Sequence, residues 1–243
     1  NHVAFPIGGI GAGMFCIEGP GAVSHISVRN TMQMFNEPCM FSTITVKGRE
    51  PISRVLEGPV PTRKVYGSSG AGNGAAGTSY GFPRFAGASF LARFPFGTVT
   101  LSDPKMPLAA EITGWSPFLP GNADDSSLPA GGLEYTFRNT SAKTVEAVFS
   151  FNTKNFMAVS GSNENTILPM KNGFILHQGA TEKKASDEGD FAVFTDDDRT
   201  VVDHCWFKGG WWDALTLAWR NVQEAILMDN PPVKGPCPGA SLF

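Results

Sequence analysis

Leu133-Glu134-Tyr135-Thr136-Phe137-Arg138, then a polar turn over 139–143, then Val145, Ala147, Phe149 and Phe151 at every second position, form the stretch that decides the fold class. Side chains of an extended strand point alternately to two faces, so apolar residues spaced two apart mark strands with one buried face. The spacing predicts a hairpin of two such strands. Weaker alternation covers 24–28, 42–47, 89–94, 98–102, 173–177 and 190–195, each bounded by Gly, Pro, Asn or Asp. Short strands separated by turn formers predict an all-β fold, a large two-sheet antiparallel β-sandwich.

One stretch departs from this pattern. Over 213–228, Leu215, Ala218, Trp219, Val222, Ala225 and Ile226 recur at helical spacing, Asp213 is a candidate N-cap, and Asp229-Asn230-Pro231-Pro232 stops the turn. A single short amphipathic helix near the C-terminus is expected. Its Trp219, with Trp206, Trp211 and Trp212 just before it, is expected to pack the helix onto a sheet rather than to form a sugar platform. Residues 66–80 are almost all Gly, Ser and Ala and are expected to be a mobile loop; residues 181–190 are charged and expected to be a solvated turn.

Sandwiches of 243 residues are commonly one domain, so residues 1–243 are read as a single domain. Gly (28 residues), Pro (18) and Phe (19) are plentiful and charged residues make up only 17%, which suits short strands and tight turns. A net charge of −3 with scattered basic residues excludes an electrostatic footprint for nucleic acid or an anionic membrane. No run approaches the roughly 18 apolar residues of a membrane span, and no signal peptide is evident, so a soluble chain is expected. It begins at Asn1 without a Met and stops at Ala240-Ser241-Leu242-Phe243, which reads as the opening of a strand. Both ends are therefore expected to be cuts, and periplasmic, secreted and cytoplasmic locations all stay open. Cys16, Cys39, Cys205 and Cys237 lack zinc-type spacing and are expected to be buried thiols or to form one incidental disulfide.

Two motifs stand out. Phe5-Pro6-Ile7-Gly8-Gly9-Ile10-Gly11-Ala12-Gly13 is glycine-dense, but it lacks the preceding strand, following helix and distal acid of a dinucleotide fingerprint and the Gly-Lys-Ser/Thr of a P-loop. Its glycines Gly8, Gly9, Gly11 and Gly13 are expected to permit sharp turns or close backbone approach at a domain interface. In the second, Trp115-Ser116-Pro117-Phe118 leads to Asp124-Asp125-Ser126-Ser127-Leu128-Pro129. Glycosidases hold two carboxylates roughly 5 to 9.5 Å apart across one bond, whereas Asp124 and Asp125 are adjacent and point to opposite faces of an extended chain. With Ser126 and Ser127 they are expected to cap loop amides. No catalytic, metal or cofactor residue is assigned. Asp196-Asp197-Asp198 lacks the ligand spacing of a calcium loop, and Asp203-His204-Cys205 is a run in sequence rather than an assembled triad, so His204 is read as structural. Asn139-Thr140-Ser141 fits the glycosylation pattern, which matters only in a secreted eukaryotic protein.

In order and rough separation, these two motifs resemble the N-terminal domain of glycoside hydrolase family 116, which includes bacterial β-glucosidases and non-lysosomal glucosylceramidases. Gly81-Phe82-Pro83-Arg84-Phe85 before Phe94-Pro95-Phe96, and Leu133-Glu134-Tyr135-Thr136-Phe137-Arg138-Asn139, add to the likeness, which runs across nearly the whole chain. The resemblance implies a β-sandwich packed on a C-terminal α/α barrel that carries the glutamate nucleophile and the aspartate acid/base of a retaining mechanism. No position here matches those catalytic motifs, so the fragment alone is expected to be inactive. Trp115, Asp124, Asp125, Ser126, Ser127 and the four glycines are then candidates for an interface or substrate-proximal loop facing the absent barrel, the expected partner, which would engage the β-linked glucoside. A carbohydrate-binding module using Trp115, Trp211 or Trp212, and a secreted structural or adhesion sandwich, are the competing readings.

Overall fold

The computed structural model describes residues 2–29, 37–65 and 78–243. In chain order its strands are β1 (Ala4–Ile7), β2 (Met14–Glu18), β3 (Val23–Ser27), β4 (Met40–Val46), β5 (Ile52–Val55), β6 (Gly87–Arg93), β7 (Phe96–Ser102) and β8 (Leu108–Trp115). They continue as β9 (Gly132–Asn139), β10 (Ala147–Lys154), β11 (Asn165–Met170), β12 (Gly173–Gln178), β13 (Gly189–Phe194), β14 (Val202–Asp203) and β15 (Gly239–Leu242). Helices are few: α1 (Thr62–Val65), α2 (Ala123–Ser126) and α3 (Ala214–Gln223). The all-β, sandwich-like class expected from the sequence is the one adopted, with the strands distributed over four antiparallel sheets.

The chain divides into two compact units, one of Asn1–Pro38 and Arg54–Val145, the other of Cys39–Ser53 and Glu146–Phe243. The first holds the β1-β2-β3 sheet and the β6-β7-β8-β9 meander. On β7 and β8, Val99 pairs with Ile112 and Leu101 with Ala110, and all four are buried, as period-2 alternation requires. Ile7, Ile17, Ile26, Leu56 and Phe85 complete this core. Fully burying each such side chain stabilises by about 1.5–3 kcal/mol before ordering costs.

The second unit holds the β14-β15-β10-β4-β5 sheet and the β11-β12-β13 meander. Central β10 buries polar side chains, which hydrogen bonds satisfy. Trp206 Nε1 donates to Ser241 Oγ (2.8 Å), Ser241 Oγ to Asn152 Oδ1 (2.7 Å) and Asn152 Nδ2 to Ser150 Oγ (2.8 Å), while Ser150 and Thr43 share a hydroxyl bond of 2.6 Å. A fully paired network of this kind avoids the desolvation penalty of unpartnered polar atoms. Cys205 and Cys237 form a disulfide; Cys16 and Cys39 are thiols outside any disulfide, Cys16 being buried. On α3 the Asp213 carboxylate accepts from Thr216 N–H at 2.8 Å, the predicted cap, and Leu215, Trp219 and Val222 are buried.

Three expectations are corrected. The hairpin from 133 to 151 does not form: β9 pairs with β8, whereas β10 lies between β4 and β15. Alternation specifies which face of a strand is buried but not its neighbour, and the turn between the two strands is where the units divide. The helix ends at Gln223 instead of 228, since Ala225 adopts a positive φ of 53°. The four tryptophans do not act together: Trp206 and Trp219 are 2% and 6% exposed, but Trp211 and Trp212 are 95% and 69% exposed. Of the loop expected over 66–80, residues 66–77 lie outside the described residues.

Candidate functional site

In the first unit the glycine motif and the loop after Trp115 are built against each other. Ser116, at the end of β8, is buried, and its Oγ accepts the Gly8 N–H at 3.1 Å. Two residues on, Ile10 N–H donates to the Ser126 carbonyl at 2.8 Å. Between these bonds lies Gly9, where a Cβ would sit 2.1 Å from the Leu128 carbonyl oxygen, so only glycine permits the approach. Gly13 turns the chain back into β2 with φ +94° beside the Ser27 carbonyl. Gly11 (φ +74°) is exposed at the tip with open space around it. The structure thus brings the two motifs together by direct backbone bonds, which neither sequence alone announces.

The second loop folds on itself at α2. Asn122 is the N-cap, its Oδ1 accepting Asp125 N–H at 3.1 Å and its Nδ2 donating to Asp125 Oδ2 at 2.6 Å. Buried Ser126 accepts the Leu119 N–H at 3.0 Å and donates to the Asn122 carbonyl at 2.6 Å; Ser127 Oγ donates to the Ala123 carbonyl at 2.7 Å. The expectation that the carboxylates cap amides is corrected: Asn122 occupies the N-cap position before the first turn and performs that task, while Ser126 accepts an amide as expected. Asp124 and Asp125 fall in the first turn, favourable for the helix dipole, and both are exposed.

Around these loops the surface is apolar. Phe94 and Phe118 stack edge to face with centroids 4.9 Å apart, Phe96 is the cross-strand partner of Trp115, and Ser116 N–H donates to the Pro95 carbonyl at 3.3 Å. With Ile10, Leu119 and Leu128, whose backbones are tied to the same loops, these four aromatic residues are exposed. The sequence signalled the loops through their glycines and Trp115, but missed Ser116 as the joining group and Phe94 and Phe118 as the flanking pair.

Buried charge lies elsewhere in this unit. Lys64 Nζ is 2.6 Å from Glu18 Oε2 and 2.5 Å from Glu37 Oε1, and Arg84 Nε is 3.1 Å from Glu57 Oε2. Arg84 also donates to the Ser79, Tyr80 and Phe82 carbonyls, which fixes it as a structural cation. Burial, with the negative charge of Glu18 next, pushes the Cys16 thiol up to about 11 and keeps it protonated at neutral pH. Asp197 pairs with Arg199, and Asp198 with Asn172 and Lys171. Asp203 is buried, accepts from Asn230 Nδ2 and Cys205 N–H, and has its carboxyl raised by burial. His204 Nδ1 lies 3.2 Å from the Asn230 carbonyl, and Cys205 is in the disulfide, so these three adjacent residues form no triad. Among the described residues no group of three His, Cys, Asp or Glu is arranged to hold a metal ion. Among them too, no helix is long and apolar enough to cross a membrane.

Residues 4–231 match the family model described as beta-glucosidase 2, glycosyl-hydrolase family 116 N-term. The chain belongs to this family. The matched span includes both loops, the seven exposed apolar residues around them and α3. A comparison with curated proteins gave no match. An N-terminal domain of a family-116 enzyme implies a catalytic partner domain.

Proposed function

We propose that this family-116 domain is the non-catalytic scaffold of a retaining β-glucosidase or glucosylceramidase-like enzyme. Its two joined loops dock the catalytic α/α barrel of the same polypeptide. The carrying observation is the exposed face of Ile10, Phe94, Phe96, Trp115, Phe118, Leu119 and Leu128, set on loops that hydrogen bonds hold rigid. A contiguous apolar surface rimmed by polar groups marks an interaction site, since leaving it in water forfeits about 25 cal/mol per Å². The chemistry of the loops supports the same reading: their hydroxyls and amides are spent on each other, and the two exposed carboxylates are chain neighbours rather than a pair flanking a bond. Asp124 and Asp125, exposed in the second of these loops, are then candidates for a substrate-proximal role.

An aryl β-glucoside assay tests this. The isolated chain is expected to release no more aglycone than buffer, and Asp124→Asn and Asp125→Asn to change nothing. Turnover by the chain that either substitution abolishes would contradict the scaffold reading.

A further inference from the structure

In the second unit an open groove of about 680 Å³ is lined by the segment that ends β14 and follows it, by α3 and by the stretch over 228–233. Trp206 and Phe207 supply apolar surface from the first, Leu217 and Ala218 from the second, Met228 and Val233 from the third. The volume lies within the roughly 300–1,000 Å³ of small-molecule sites.

One charged group in this lining is buried without a counter-charge. Asp203, the last residue of β14, is 4% exposed. Its Oδ1 accepts both of its side-chain hydrogen bonds, from Cys205 N–H at 3.1 Å and Asn230 Nδ2 at 2.9 Å, which hold the carboxyl in one orientation. Oδ2 accepts none from the described residues, yet it is not sealed off from solvent. Nor does Asp203 form an ion pair among the described residues: Arg220 of the groove is paired with Glu224 at 3.2 Å, and Lys208 is exposed at its edge. A carboxylate taken out of water without a cation costs free energy in its charged form. Burial accordingly raises the Asp203 carboxyl, which the Asn230 and Cys205 bonds and the charge of His204 offset only in part.

The lining selects a ligand. An ammonium group carries three N–H donors and a positive charge, so it both bonds to Oδ2 and compensates the buried carboxylate. Apolar side chains around it suit a hydrocarbon body, and Phe207, 45% exposed, adds an aromatic ring whose negative face attracts cations. A hydroxyl would supply a bond without the charge, and an anion would be repelled. We propose that the groove between the 203–208 segment and α3 binds a small organic ammonium with an apolar body, and that Asp203 is its counter-ion. The site uses no residue of the docking face and stands independently of it.

Calorimetric titration of the 243-residue chain with phenethylamine at neutral pH, against phenethyl alcohol and hydrocinnamate, tests it. Saturable binding of the ammonium is expected, about tenfold tighter than that of the alcohol, with no binding of the carboxylate. Asp203→Asn keeps an oxygen for the Cys205 and Asn230 bonds but removes the charge, and is expected to lower the ammonium to the affinity of the alcohol. Hydrogen exchange locates the site without any variant: bound phenethylamine is expected to slow amides in 203–208 and 228–233. No saturable ammonium binding up to about 10 mM would overturn the proposal. So would equal affinity for amine and alcohol, full affinity in Asp203→Asn, or slowed exchange confined to residues outside the groove.

Discussion

Lys64 sits between Glu18 and Glu37, and with Arg84 and Glu57 nearby the first unit encloses three carboxylates and two cations. One negative charge is in excess. Burial first, then the Glu18 and Glu57 carboxylates, raise the Glu37 carboxyl above its ordinary 4.5, and the bond and charge of Lys64 offset only part of this. The folded chain therefore holds the Glu37 proton more tightly than the unfolded chain does. Its stabilising contribution is fully present below 4.5 and is lost as pH rises through the raised folded value. Glu37→Gln is expected to flatten the fall in stability between pH 4.5 and neutrality, read as urea midpoints at several pH values. Parallel pH profiles for the two proteins would show that Lys64 neutralises Glu37 completely. None of this cluster was legible in the sequence, because Glu18, Glu37, Glu57, Lys64 and Arg84 are scattered along the chain and meet only through the fold.

At the scale of elements, the loop over 8–13 and the loop over 115–129 are one structure. Their joint is the approach of Gly9 to the Leu128 carbonyl, flanked by the Gly8 to Ser116 and Ile10 to Ser126 bonds. Gly9→Ala places a methyl 2.1 Å from that oxygen and forces the loops apart. A loss of about 1–3 kcal/mol is expected, the usual cost of overpacking a closed site, measured by equilibrium denaturation. Unchanged stability would mean that the loops separate freely. Strand existence was legible wherever alternation was clean, as in β7, β12 and β13, and α3 was legible through its cap and stripe. Pairing was not: β9 and β10 carry a convincing hairpin pattern yet join different sheets, since the polar face of β10 is buried through Asn152 and Ser150 rather than solvated. Strands β1 and β2 escaped notice because Pro6 and the glycines around them mask their alternation.

For the whole molecule, the sequence disclosed the all-β class and the family through a few glycine and aromatic motifs, but not the apolar face, which needs β7, β8 and two loops in register. The central claim is that the joined loops lie against a catalytic domain. Backbone hydrogen exchange, compared between this chain alone and the complete enzyme polypeptide, tests it most directly. The account predicts that amides in 8–13 and 115–129 exchange more slowly when the catalytic domain is present, while those of β11, β12 and β13 keep their rates. Equal exchange of both loops in the two proteins would contradict it.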